Sequence, residues 1–401
     1  MVYQPPAGAR DLLPLDVAQK RWIEDRLQQV FHAWGYHRII TSTLERLDTL
    51  MAGGAIERST VIQLHQLEED PLGLRPELTA SIARTVATRL ANSTFPQRLY
   101  YNANVFRRAQ EGSHTRQQEF YQAGVELLGG DGVCSDAEIL LLVMDCLHAV
   151  ELPGQLILGE AGLTRSLLSG FPEPIRAKVR HAIATLDRLS LEALPLSDEL
   201  KARALLLLDL RGKPSDVLQR VSALDLDDSE RAIVNNLKSL VELLQASLTV
   251  PIVLDLSLIQ TFDYYTGIVF EVVTQSGQVV LGQGGRYDQL LGQFHSQGQS
   301  IPGIGFSLHL ENLHQILLAT GQLPKQTRSS DWLVVSDSPQ LAFAQAQKLR
   351  ESGAVVEVNL TAGTREQIQT YARQRRIARI AWVQEDGQIL VEDPFDTERT
   401  S

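Results

Sequence analysis

Residues 257 to 271 read SLIQTFDYYTGIVFE. The polar and aromatic cluster Asp263, Tyr264, Tyr265 and Thr266 is closed by Gly267 and runs straight into the apolar Ile268, Val269 and Phe270. An apolar strand that begins in such a cluster predicts a sheet whose strand end faces a ligand. Around it lie further strands, expected at 252 to 258, 266 to 275 and 278 to 283. They are followed by the glycine-rich GQGGRYDQLLGQF and by PGIGFSLHLENLHQILLA, a strand or turn running into a helix.

Upstream, residues 16 to 36 place Val17, Trp22, Ile23, Leu27, Val30, Phe31 and Trp34 at helical spacing, with Gly35 as the stop. HRIITSTLE (37 to 45) reads as a strand, Asp70-Pro71 as a turn, Leu72 to Leu74 as a short strand, and a helix starts near Thr79. Residues 97 to 129 hold two apolar runs around a polar loop from Ala109 to Gln117, the pattern of a long antiparallel hairpin. A helix is expected over 135 to 150 with Ser135 or Asp136 as N-cap and Glu138 bonding back, then a strand at 155 to 160. From about 162 to 250, Leu, Ala, Arg and Asp recur at helical spacing, which predicts an all-helical insertion. Past a polar linker at 320 to 330, strands and helices alternate, so residues 331 to 395 should form a small α/β domain with a mainly parallel sheet.

Composition limits the function classes. A chain of 401 residues is too long for one compact core, and two or three domains are expected. No segment carries the roughly 18 unbroken apolar residues of a membrane span. The N-terminal MVYQPPAGARDLLP shows no signal or transit pattern, so the expected location is cytoplasmic. A net charge of −11 weighs against a surface built to neutralise phosphates. The two cysteines, Cys134 and Cys146, have no partners at metal-ligand spacing and read as structural thiols; neither a metal nor a cofactor is expected.

Four clusters could carry chemistry. Arg75-Pro76-Glu77-Leu78-Thr79 sits at a strand-to-helix joint. Phe106-Arg107-Arg108 lies across the hairpin from Gln122 and Glu126, and Phe120, Gln122, Gly124 and Glu126 share one face of their strand. The third is the opening stretch, and the fourth is Gly284-Gly285-Arg286-Tyr287-Asp288, whose paired glycines suit a loop admitting a ligand against main chain. Carboxylates, amides and phenols at several strand ends suit an amino-acid pocket: an α-amino group wants carboxylate and amide acceptors, and a carboxylate wants arginine.

PAGARDLLP, LRPELTA, VFRR with QAGVELLG, TFDYYTGIVFE, GGRYDQLLG and PGIGFSLHLEN are similar, in order, to the signature segments of the histidyl-tRNA synthetases, over most of residues 5 to 318. The resemblance implies an α+β fold of the class II aminoacyl-tRNA synthetase type: a six-stranded antiparallel sheet flanked by helices, homodimeric through the first helix and strand. It also implies an anticodon-binding-like C-terminal unit. By the same resemblance Glu77, Thr79, Gln122, Glu126 and Tyr265 hold histidine, with Tyr264 adjacent and Arg107 reaching the carboxylate or α-phosphate. The amino group is expected at Glu126.

Several positions depart from that family. Gln260 stands where an arginine assists activation, Asn312 where an arginine clamps ATP phosphate, Ala109 where a glutamate follows the second-motif arginine, and Ser42 where the dimer motif has proline. Activation builds negative charge on phosphorus, which fixed guanidinium groups must meet and neutral Gln and Asn do not. This pattern resembles the regulatory subunits of ATP phosphoribosyltransferase, synthetase paralogues without aminoacylation activity. It implies a short-form catalytic subunit as partner, L-histidine as feedback effector and a self-associated core, with no membrane contact and no tRNA binding. Residues 331 to 401 hold eight Lys and Arg against eleven Asp and Glu, and RQRR (373 to 376) reads as a solvated helix face. An active histidyl-tRNA synthetase is the alternative.

Overall fold

Apolar residues at helical spacing fold the N-terminal segment into α1 (Pro14–Ala33), which buries Ile23, Leu27 and Phe31. Gly35, at φ 79°, turns the chain out of it. The computed structural model describes residues 4–52, 56, 58–64, 71–109, 117–259 and 264–396. The turn residue Asp70, most of the expected hairpin loop, and Gln260, Thr261, Phe262 and Asp263 lie outside the described residues.

Two compact units divide the chain at Leu323 and Pro324. In the first, α1 is followed by β1 (His37–Arg38), β2 (Leu44–Arg46), α2 (Leu47–Met51), β3 (Gln63–Leu64), β4 (Leu72–Leu74), α3 (Thr79–Arg89), β5 (Gln97–Phe106), β6 (Glu119–Leu128), α4 (Gly132–Ala149) and β7 (Gly154–Glu160). Next come the helices α5 (Ala161–Ser169), α6 (Glu173–Ala184), α7 (Arg188–Ala193) and α8 (Asp198–Asp209), the two-residue β8 (Arg211–Gly212), α9 (Pro214–Ser222) and α10 (Asp228–Ser247). β9 (Ile252–Asp255), β10 (Ile268–Thr274), β11 (Val280–Arg286), β12 (Gly303–His309) and α11 (Leu310–Thr320) complete the unit.

The main sheet runs β1-β5-β6-β12-β11-β10-β7-β9-β8. Its central six strands, β5 to β7 in that order, are all antiparallel, as the resemblance implied. β1 and β9 add on in parallel at the two sides, and β8 closes the far edge. One face packs against α1, α4 and α10 in a continuous apolar core that includes Phe31, Tyr100, Leu140, Leu158, Leu244 and Phe270. The insertion helices bury Leu191, Leu207 and Val217 in this same core, and β8 joins the insertion to the sheet. The opposite face carries a second cluster around Leu78, Ile82, Tyr101, Tyr265 and Tyr287.

Four local expectations are corrected. The segment 37 to 45 does not form one strand: pairing to β5 stops after Arg38, and β2 joins β3 and β4 in a separate small sheet. α4 begins at Gly132, capped by the Asp131 carboxylate, three residues before the expected start. Asp136 and Glu138 are thereby freed for other partners. β9 ends at Asp255 because that carboxylate accepts hydrogen bonds from the backbone and hydroxyl of Ser257, which fold the chain into a turn. Gly284 and Gly285 lie within β11 rather than in a loop.

The second unit contains β13 (Trp332–Val335), α12 (Pro339–Glu351), β14 (Val356–Val358), α13 (Arg365–Arg375), β15 (Arg379–Val383) and β16 (Ile389–Glu392). Its sheet, β14-β13-β15-β16, is parallel except for the last strand. Within RQRR, Arg375 pairs with Glu357 at 3.1 Å and Arg376 donates to the Thr327 carbonyl at 3.3 Å.

Candidate functional site

Glu77, Thr79, Arg107, Gln122, Glu126, Tyr264 and Tyr265, drawn from three of the four sequence clusters, line one cavity on the second face of the main sheet. β6 supplies Gln122 and Glu126 from a single face, as the alternation requires. The joint between β4 and α3 supplies Glu77 and Thr79, and the residues leading into β10 supply the two tyrosines. Leu78, Tyr101, Gln283, Tyr287, Gly305, Phe306 and Ser307 make up the rest of the described wall. Tyr287 belongs to the GGRYD cluster, but its role at this site was not read from sequence. Tyr101 reads as an ordinary core residue of β5, and nothing in the sequence marks it otherwise.

Glu126 is 1% exposed. Its carboxylate accepts hydrogen bonds from the Thr79 hydroxyl at 2.7 Å and from the Tyr287 hydroxyl. Burial pushes its pKa up to about 8, against the lowering effect of those two donors, so it holds a proton at neutral pH. Gly305 makes room for it, since a β-carbon there would overlap the Glu126 carboxylate. Gly285 does the same for the aromatic wall, where an added β-carbon would lie 2.7 Å from the Tyr265 ring. Tyr264 stands edge-on to Tyr265 and Tyr287, with centroids 4.9 and 5.7 Å away.

Glu77 is linked to Glu126 through Thr79, which donates its amide N–H to the first and its hydroxyl to the second. Its carboxylate accepts the backbone N–H groups of Thr79 and Ala80 at the start of α3. Burial raises its pKa, while those amides and the nearby Arg107 oppose the rise. Arg107 is fixed by its Nε–H bond to the Pro76 carbonyl at 2.9 Å, and burial pulls its pKa down. Among the described residues it is the one cation in the wall. The cavity measures about 20 Å³, room for about one water.

The other charged groups of the sequence clusters serve the fold. Arg75 is buried and donates to the carbonyls of Asn104, Thr41 and Ser42, tying the small sheet to β5. Arg286 forms a buried pair with Asp136 at 2.6 Å, pinning β11 to the start of α4. Glu138 receives Tyr36 and Arg98.

Two of the positions read as lost catalytic ones, Asn312 and Ala109, lie among the described residues, and both are neutral. Asn312 commits its amide N–H to the Val280 carbonyl at 2.7 Å, and Ala109 offers no charge. His309 is kept neutral, its pKa pulled to about 4 by burial and by Arg107. Among the described residues no group of three or more His, Cys, Asp or Glu side chains is gathered as a metal site, and no helix is long and apolar enough to cross a membrane. Cys134 is exposed and Cys146 buried, both as free thiols.

The family model described as histidyl-tRNA synthetase matches residues 8–313. The ATP phosphoribosyltransferase regulatory subunit of Trichormus variabilis is 65% identical, over 98% of this chain and 99% of its own length. That of Gloeothece citriformis is 60% identical over the same shares of the two chains. Among solved structures, an ATP phosphoribosyltransferase regulatory subunit/histidyl-tRNA synthetase from Bacillus halodurans superposes with a TM-score of 0.83 at 28% identity, covering 96% of this chain and 98% of that one. The histidyl-tRNA synthetase of Nostoc sp. shares the fold, with a TM-score of 0.77 at 22% identity, covering 98% of this chain and 97% of that one.

Proposed function

The chain belongs to the histidyl-tRNA synthetase family and stands among its ATP phosphoribosyltransferase regulatory subunits, and from that premise we propose that its buried cavity binds free histidine and reports it to a catalytic partner. It is a regulatory subunit rather than an enzyme in its own right, and its place is histidine biosynthesis. The catalytic partner is the short-form ATP phosphoribosyltransferase subunit. The core self-associates through the first helix and strand, where Leu13, Ile40 and Leu44 are exposed. The acidic second unit, whose basic run is partly spent on Glu357 and a backbone carbonyl, does not grip tRNA.

The single observation that carries this reading is a cavity whose described wall holds one cation, two carboxylates and aromatic rings. Arg107 and Glu77 are close enough to influence each other's titration, so together they suit the α-carboxylate and α-ammonium of an amino acid. Glu126, which accepts from Tyr287 and lines the cavity with Tyr264 and Tyr265, then faces the imidazole. This moves the amino group from Glu126, where the sequence placed it, to Glu77. Histidine feeds back on the complex by binding its active and inactive states unequally, and a difference of about 1 to 3 kcal/mol suffices.

The test is calorimetric titration of the full chain with L-histidine together with ATP-dependent pyrophosphate exchange on the same sample. Saturable histidine binding without exchange is the expected result. Exchange at synthetase-like rates would instead make the chain an active histidyl-tRNA synthetase, and absence of histidine binding would remove the sensor role.

A further inference from the structure

Arg286 and Asp136 are 6% and 8% exposed, and neither belongs to the described wall of the amino-acid cavity. A buried ion pair adds little net stability, since well-packed apolar side chains of similar volume hold a fold as well or better. What an apolar pair lacks is direction. The Arg286 guanidinium is aimed three ways: Nε and Nη2 donate to Asp136 Oδ1 at 2.8 and 2.6 Å, while Nη1 donates to Asp288 Oδ1 at 3.1 Å and to the Gly130 carbonyl at 3.3 Å. A planar fork held by acceptors on several sides has one orientation.

The main chain around the same residue holds the tyrosine wall. Thr266, directly after Tyr264 and Tyr265, donates its backbone N–H to the Arg286 carbonyl at 2.7 Å, and its hydroxyl accepts the backbone N–H of Asp288 at 3.0 Å. Gly267 lies against the Arg286 side chain, where an added β-carbon would stand 3.0 Å from Cδ. The residues flanking Arg286 meet the wall directly: Gly285 leaves room for the Tyr265 ring, and Tyr287 donates to Glu126. One guanidinium anchored near the start of α4 therefore fixes the residue that follows Tyr264 and Tyr265 and the residue that precedes Tyr287.

We propose that Arg286, held by Asp136, is a positioning residue of the amino-acid cavity: it sets the orientation of Tyr264, Tyr265 and Tyr287 without touching the ligand. This rests on the histidine-sensing reading of that cavity. Three variants of the full chain separate positioning from stability: Arg286→Met, Arg286→Met with Asp136→Leu, and Arg286→Lys. Arg286→Met strands the Asp136 carboxylate in the interior and should lower the thermal midpoint. Adding Asp136→Leu should restore the midpoint, yet calorimetric titration with L-histidine should still find affinity about tenfold or more below wild type, because an apolar pair packs without orienting. Arg286→Lys keeps the charge beside Asp136 and loses the planar fork, so it should fold and also bind histidine less tightly; it decides the matter if the double variant does not fold. Fluorine NMR of the chain carrying fluorotyrosine reads the rings without ligand, and the resonances of Tyr264, Tyr265 and Tyr287, assigned by replacement with phenylalanine, should shift in each folded variant. Affinity that returns to the wild-type value together with the midpoint, or wall resonances that stay in place, would overturn the proposal. A wild-type chain that does not bind histidine would instead overturn the sensing reading, and the fluorine spectra would still decide for or against Arg286.

Discussion

Glu126 is the residue on which the proposed chemistry turns. Its protonated state at neutral pH, with a pKa pushed up to about 8, gives the ligand reading a distinctive proton balance. Between about pH 6.5, the ordinary imidazole value, and about 8, free Glu126 holds one proton and the free ligand's imidazole holds none. In the complex the pair shares that one proton. Below this window the free imidazole carries a second proton that binding must release, so affinity falls as pH falls. Above it free Glu126 has lost its proton and binding must take one up, so affinity falls as pH rises. Calorimetry at pH 7 in two buffers of different ionisation heat should therefore find net proton exchange close to zero. Release of nearly one proton per histidine would put the ammonium group on Glu126 instead, and the assignment of Glu77 would be wrong.

At the scale of elements, the period-two alternation of β6 made Gln122 and Glu126 legible as neighbours on one face, and the same alternation hid Tyr101 among apolar residues of β5. The strand-to-helix joint at Glu77 was legible too, because a carboxylate two residues before a helix has backbone donors waiting for it. What could not be read was long-range. The Tyr287 hydroxyl reaches Glu126 across 161 residues, and Gly305 is glycine because of a side chain on another strand. The start of α4 was misjudged for a local reason: Ser135 and Asp136 make a plausible cap, but Asp131 caps first and Gly132 takes positive φ within the helix. The edge element β1 carries the prediction at this scale. Ile40, just beyond it, is 80% exposed, more than an isolated surface requires, and with Leu13 and Leu44 it supplies apolar area for self-association. Ile40→Asp should convert the sedimenting species from dimer to monomer with little change in thermal midpoint, whereas a wild-type chain that sediments as a monomer would contradict the assignment of this edge.

At the scale of the whole molecule, the fold class followed from the resemblance of the signature segments to the histidyl-tRNA synthetases, and the division near residue 323 followed from a polar, proline-containing stretch. The sensing role does not follow from the fold, which catalytic and regulatory relatives share. The proposal of it rests on which charges are kept and which are missing from the sequence: Glu77, Arg107 and Glu126 line the cavity, while Gln260, Asn312 and Ala109 are neutral. A regulatory subunit that worked as proposed would convert occupancy of one small cavity into a change of activity elsewhere, through the coupling between the two sites. The most direct measurement is histidine inhibition of ATP phosphoribosyltransferase activity in the reconstituted complex, with wild-type chain and with Glu126→Gln in parallel. The account predicts that the complex containing Glu126→Gln assembles and turns over normally but no longer responds to histidine. Equal inhibition of both complexes would place the histidine sensor outside this cavity and contradict the account.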